Sequence, residues 1–282
     1  MTRTVVVANQ KGGVGKTTTA ASLAAWFAEC GVEVLLIDLD PQGNLTSSLG
    51  VDRETLQYTT YDLLLGEATI PEVTLPEIRP GLGLVAARRE LAGAEVELAT
   101  LEHKEFQLRR ALHGQIDLYD LVLIDCPPSL GLLTINALSA ATDVIIPIQC
   151  EYLALEGLMQ LVGSMELIKR RVNPALDILG VVMTMYDART RLAADVVENV
   201  RQHFPGHSFA TIIPRSVRLA EAPSYGQSIV EYAPGSPGAV AYRELTLEVA
   251  ARLGIELRAD AGPHLATEPH EHEEALSTGN GM

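Results

Sequence analysis

Seven short apolar runs recur along the chain, separated by turn residues or helix-like stretches: TVVVAN (4 to 9), VEVLLID (32 to 38), LGLVAA (82 to 87), DLVLID (120 to 125), DVIIPI (143 to 148), ILGVVMTM (178 to 185) and ATIIP (210 to 214). Strands that face water on one side alternate apolar with polar residues, whereas strands covered on both sides read as continuous apolar runs. The pattern predicts an α/β fold, a twisted, mostly parallel β-sheet with helices on both faces. The clearest helix covers residues 17 to 29, which are Ala-rich, free of Gly and Pro, and closed by Gly31. No linker-like stretch breaks the alternation before residue 258, so 1–258 reads as a single domain. Residues 259–282 turn to Gly, Pro, His and Glu without periodicity, and a disordered acidic tail is expected there.

Composition narrows the class. No apolar run approaches the ~20 residues of a membrane helix, and the start MTRTVVVANQ lacks the pattern of a secretory signal, so a cytoplasmic protein is expected. Cys30, Cys126 and Cys150 are far apart and form no CxxC pair, which predicts buried free thiols rather than a disulfide framework or zinc site. The net charge of −15 argues against nucleic acid, but it is unevenly spread. Between residues 169 and 218, Lys169, Arg170, Arg171, Arg189, Arg191, Arg201, Arg215 and Arg218 face only Asp177, Asp187, Asp195 and Glu198, a local balance of +4.

Directly after the first run stand Gln10 and then KGGVGKTT, at 11 to 18, followed by the helix. Strand, Gly-rich turn and helix in that order form an anion site, because small residues let backbone N–H groups approach phosphate oxygens at a helix N-terminus. The candidate nucleotide contacts are Lys11, Gly12, Gly13, Val14, Gly15, Lys16, Thr17 and Thr18. Lys16 reaches the β- and γ-phosphates and Thr17 offers its hydroxyl to Mg2+. The chain holds only four lysines, and two of them fall within this short loop. A compact ammonium suits a crowded phosphate better than a broad guanidinium. Asp38 and Asp40 in VLLIDLDPQGN, and Asp125 in LVLIDCPPSLG, end apolar runs at the edge where an open α/β sheet binds ligands.

The loop NQKGGVGKTTTA, with Gln10 where the usual phosphate loop has Gly and with the extra Lys11, resembles the deviant Walker A motif of the ParA/MinD family of P-loop ATPases. The resemblance implies ATP and Mg2+ as ligands and a homodimer that sandwiches two ATP molecules, Lys11 touching the partner's nucleotide. It makes Lys11, Lys16 and Asp40 the catalytic candidates, with Asp40 orienting the attacking water. Thr17, Asp38 and Asp125 become the Mg2+ candidates, Asp125 standing in a Walker B-like element.

The stretches VVMTMYDARTRLAADVVENVR (181 to 201) and IIPRSVRLAEAPSYGQSIVEYAPGSPGAVAYREL (212 to 245) are similar to the chromosomal ParA, or Soj, branch. That similarity implies an adenine pocket around Met185 and Pro214 with Ser216 close by, and non-specific contacts to double-stranded DNA from Arg189 and Arg218. We extend the DNA set to Arg215. Pairing of Arg189 and Arg191 with Asp187 and Asp195 is the competing expectation. The implied partner is a ParB-like centromere-binding protein that stimulates hydrolysis, with nucleoid association as the location. The cargo stays open among a chromosome, a plasmid and a replication initiator. The loop begins so early that an N-terminal helix-turn-helix domain is not expected. A MinD-like membrane-associated ATPase is the alternative, disfavoured because the tail is acidic and holds Pro263 and Pro269. An iron–sulfur role for Cys126 and metal binding by His264, His270 and His272 are disfavoured too. Trp26 and Phe27 are expected in the core.

Overall fold

Every one of those runs is a strand in the computed structural model, which describes residues 2–151 and 154–258. The strands are β1 (Arg3–Val7), β2 (Val34–Asp38), β3 (Thr74–Arg79), β4 (Leu82–Val85), β5 (Leu121–Asp125), β6 (Asp143–Gln149), β7 (Asp177–Tyr186) and β8 (Ser208–Pro214). They form a single sheet in the order β3-β4-β2-β5-β1-β6-β7-β8. All neighbours pair in parallel except β3 with β4. The proposed tail and its histidines lie outside the described residues.

Strand β3 escaped the sequence pattern for a physical reason. Its residues TLPEIR are partly exposed, hold Pro76 and Glu77, and occupy the sheet edge, where a proline's missing N–H breaks no ladder. Glu77 takes φ 50 and the β3–β4 register shifts between Leu75 and Arg79, the irregularity expected of such an edge.

Alternation along each central strand feeds two cores. Val5 and Val7 of β1 and Leu36 of β2 pack with Leu23, Phe27 and Leu245, from the helices Lys16–Glu29 and Pro237–Leu253. Val6 and Ile37 point the other way, to Leu133, Leu158 and Leu161 of the helices Leu132–Ala140 and Ala154–Arg171. Trp26 and Phe27 are buried, as are all three free cysteines. Gly31 follows the first helix at φ 74, a left-handed conformation that a Cβ would strain.

This topology gathers the candidate site. Strand β1 lies between β5 and β6, so the chain winds outward in both directions from it, and the crevice opens at the carboxyl ends of the strands. The first helix is locked at depth by Thr19, whose hydroxyl lies 3.0 Å from the buried Tyr242 hydroxyl on the C-terminal helix. Tyr242→Phe should lower urea-unfolding stability by about 1 kcal/mol through the lost hydrogen bond. Tyr242→Ala should cost about 3 to 5 kcal/mol through the cavity left beside Thr19.

Candidate functional site

The loop from Lys11 to Gly15 turns through two left-handed glycines, Gly13 at φ 73 and Gly15 at φ 88, before entering the helix Lys16–Glu29. No side chain caps that helix, so its first-turn N–H groups remain available for an anion. Two side chains, Asn9 and Thr184, anchor the loop to the sheet. Asn9 donates to the Pro147 carbonyl (2.7 Å) and accepts from the Lys11 amide (2.9 Å). The Thr184 hydroxyl lies 2.8 Å from the Val14 carbonyl and 3.0 Å from that of Ile148. Lys16 folds back, its ammonium donating to the Lys11 carbonyl at 3.1 Å. Lys16 is only 7% exposed; burial lowers its pKa, opposed by Asp125, Asp40 and Cys126.

Asp125 ends β5 fully buried, and Thr17 donates its hydroxyl to Asp125 Oδ2 at 2.7 Å. The other oxygen, Oδ1, is buried with no hydrogen-bond partner. Desolvation, and next the charge of Asp38, raise this carboxyl well above the usual range, against the Thr17 hydrogen bond. A buried unpartnered carboxylate oxygen beside a threonine hydroxyl and a Lys ammonium fits a site for a hard cation with bound phosphates. Among the described residues no three His, Cys, Asp or Glu side chains converge to cage a metal alone.

The two acids after β2 behave differently. Asp38 is fully buried and takes hydrogen bonds on both oxygens: the Asp40 amide reaches Oδ1 (3.1 Å), and the Thr46 amide (2.9 Å) and hydroxyl (2.7 Å) reach Oδ2. Burial outweighs these bonds and pushes its pKa up to about 6. The Thr46 hydroxyl accepts from the Ala87 amide (3.0 Å), tying the loop to the end of β4. Asp40 is 7% exposed and accepts from the Gln42 amide at 2.9 Å.

A cavity of about 180 Å3 brings Met185, Pro214 and Ser216 together with Gly15 and Thr18 of the phosphate-loop segment, and Arg215 also stands on its wall. Met185 ends β7 at φ 53, a strained conformation for a side-chain-bearing residue. Lys11 points away from the phosphate loop, half-exposed, to Glu151 Oε2 at 3.5 Å. Arg189 is gripped in a fork by Asp187, with Nε to Oδ1 at 2.9 Å and Nη2 to Oδ2 at 2.7 Å. That fork holds the Asp187 carboxyl well below the usual range. Arg218 pairs with Glu221 at 2.9 Å. The expected pair of Arg191 with Asp195 does not occur among the described residues.

Sequence reasoning missed Asn9, Thr46, Thr184 and Glu151. Only Asn9, an Asx-type residue opening a tight turn, carried a local signal. The others act across long stretches of chain.

Comparison with known proteins agrees with this geometry. The AAA domain family matches residues 2–178. The sporulation initiation inhibitor protein Soj of Bacillus subtilis is 48% identical over 251 residues, covering 89% of this chain and 99% of that protein. The chromosome-partitioning ATPase Soj of Thermus thermophilus is 52% identical over 251 residues, covering 89% and 96%. The chromosome partitioning protein ParA of Myxococcus xanthus is 48% identical, covering 89% and 88%. Among solved structures, cobyrinic acid a,c-diamide synthase from Mycobacterium smegmatis with an ATP analogue and magnesium superposes with TM-score 0.79 at 40% identity, covering 91% of this chain and 98% of that one. The septum site-determining protein MinD of Pyrococcus horikoshii with Mg-ADP gives 0.73 at 26% identity, covering 90% and 98%. With its phosphate loop, paired strand-end acids and sheet order in place, the chain belongs to the ParA/MinD family of P-loop ATPases.

Proposed function

We propose that this protein is a ParA-type partition ATPase that binds Mg2+ and ATP, dimerises around two nucleotides, holds DNA without sequence preference, and releases it when a ParB-like partner stimulates hydrolysis. The observation that carries the nucleotide part is the buried, unpartnered Asp125 Oδ1 beside Thr17, at the mouth of an uncapped helix. The partition part is supported by relatives named Soj and ParA at nearly half identity over nearly the whole of their length.

Backbone N–H groups of Gly12 to Thr17 hold the phosphates, and Lys16 swings from the Lys11 carbonyl to the β/γ oxygens. Thr17 and Asp125 hold Mg2+, which when bound neutralises phosphate charge. Asp38 acts one step back, fixing Thr46 and the Asp40 amide, while Asp40 orients the attacking water. Met185, Pro214 and Ser216 line the base pocket. Lys11 leaves Glu151 to reach the partner's nucleotide, which makes hydrolysis conditional on dimerisation. Arg189, Arg215 and Arg218 face DNA phosphates, and the positive surplus doubles when two chains align. Among the described residues, no helix is long and apolar enough to cross a membrane.

Three outcomes are expected. Lys11→Ala should retain nucleotide binding in equilibrium titration and lose partner-stimulated phosphate release; full stimulated turnover would overturn the trans role. Burial and the charge of Asp38 raise the pKa of the Asp125 carboxyl, whose ionised form a bound cation would need. Apparent Mg2+ affinity in the nucleotide complex should therefore rise as the pH is raised, and Asp125→Asn should flatten that rise. For DNA, Arg189 and Arg218 from both chains give a slope of log K against log salt of about −3 to −4, from ~0.9 per contact. Asp187→Asn frees Arg189 and should tighten ATP-dependent DNA binding a few-fold at fixed salt; salt-insensitive affinity would remove these arginines from the interface.

A further inference from the structure

Beside the loop that carries Asp40, and outside the phosphate loop, Arg53, Arg88 and Arg89 wall a cavity of about 250 Å3 together with Glu54 and Glu90. Arg88 is anchored by Nη1 donating to the Leu56 carbonyl at 3.0 Å, while its Nε is buried with no hydrogen-bond partner. The nearest carboxylate, Glu90, is 3.7 Å from that Nε, beyond hydrogen-bond reach, and its side chain is 61% exposed. A guanidinium with a buried N–H and no acceptor carries a desolvation penalty that an anion would remove. The cavity walls carry only Arg and Glu side chains, with no aromatic or aliphatic group against which a base could stack, which suits a small oxyanion rather than a nucleotide.

We propose that this cavity is a second oxyanion site, which takes inorganic phosphate and thereby acts on the Asp40 loop. Arg88 offers Nε and Arg89 its guanidinium, with Glu90 swinging outward as the anion enters. Two contacts connect the walls to the site. Arg53 Nη1 donates to the Gln42 carbonyl at 2.5 Å and fills the space beside Gly43, where a Cβ would lie 2.6 Å from that nitrogen and 2.8 Å from the Ala87 carbonyl. On the other wall, the Ala87 amide next to Arg88 donates to Thr46, which in turn holds Asp38. An anion that draws Arg53 and Arg88 together therefore acts on the segment from Asp38 to Thr46 at two points, Gln42 and Thr46. The ATPase reaction itself releases inorganic phosphate. A phosphate monoester offers the same chemistry from another source. This inference does not depend on DNA binding or partition.

The test uses full-length protein saturated with a non-hydrolysable ATP analogue and Mg2+, so that all three phosphate positions of the loop are filled, titrated calorimetrically with inorganic phosphate and, separately, with phenyl phosphate. One site per chain with millimolar affinity is expected, weakened about tenfold in Arg88→Gln and several-fold in Arg89→Gln. Arg89 is exposed, so its variant stays informative if loss of the Arg88 anchor harms folding. In steady-state assays, phosphate should lower kcat in a way that excess ATP does not reverse, and Arg88→Gln should relieve this. Phosphate binding at least as tightly as phenyl phosphate supports the product as ligand, and response to phenyl phosphate alone would overturn that assignment. Absence of binding up to about 20 mM, equal affinity in both variants, or inhibition purely competitive with ATP would overturn the site.

Discussion

Charge taken out of water at one edge of the sheet is the constraint on which the rest depends. Asp38 and Asp125 are fully buried at neighbouring strand ends, where Asp38 pairs with Asp125 in the β2–β5 register, and Lys16 is nearly buried beside them. Isolated, each such ion would be expensive, and two carboxyls side by side raise each other's pKa. The arrangement is sensible as a half-built electrostatic site: the cation and polyphosphate that complete it bring the opposite charges. The Lys16 ammonium folds back onto the Lys11 carbonyl.

That cluster survives because its supports are rigid. Thr184 and Asn9 tie the phosphate loop to carbonyls on β6 and near its end, and Thr46 ties the Asp38 carboxylate to the end of β4. These bonds come from strands buried on both faces, the least deformable part of such a fold. The same connections make the segment from Asp38 to Thr46 responsive. Arg53 and the end of β4 contact it from outside, close enough for an event in the arginine cavity to be felt at Asp40.

Electrostatics on the outer surface follows a different rule. The basic window lies in an acidic chain, and Arg189 and Arg218 are each held by a carboxylate two or three residues away. Exposed pairs of this kind are weak and exchange readily for phosphate. Under the proposed function, these pairs moderate attraction to DNA in the single chain, as a surface that must let go as well as hold requires.

Much of this was written in the chain itself. Uninterrupted apolar runs dictated strands covered on both faces, and KGGVGKTT after the first of them marked the anion loop, because both signals are local and repeat a steric rule. The strand-end aspartates followed from the same edge rule. Tertiary structure alone decided what those residues meet. Edge strand β3 had no core to declare it; Asp38 is enclosed by Thr46; Lys11 rests on Glu151, 140 positions away. Thr17 found Asp125 at a separation of 108 residues, and Arg53 found Arg88. Periodicity and turn chemistry act within a few residues, while burial and charge pairing join whatever the sheet order brings side by side, and that order is a property of the whole chain.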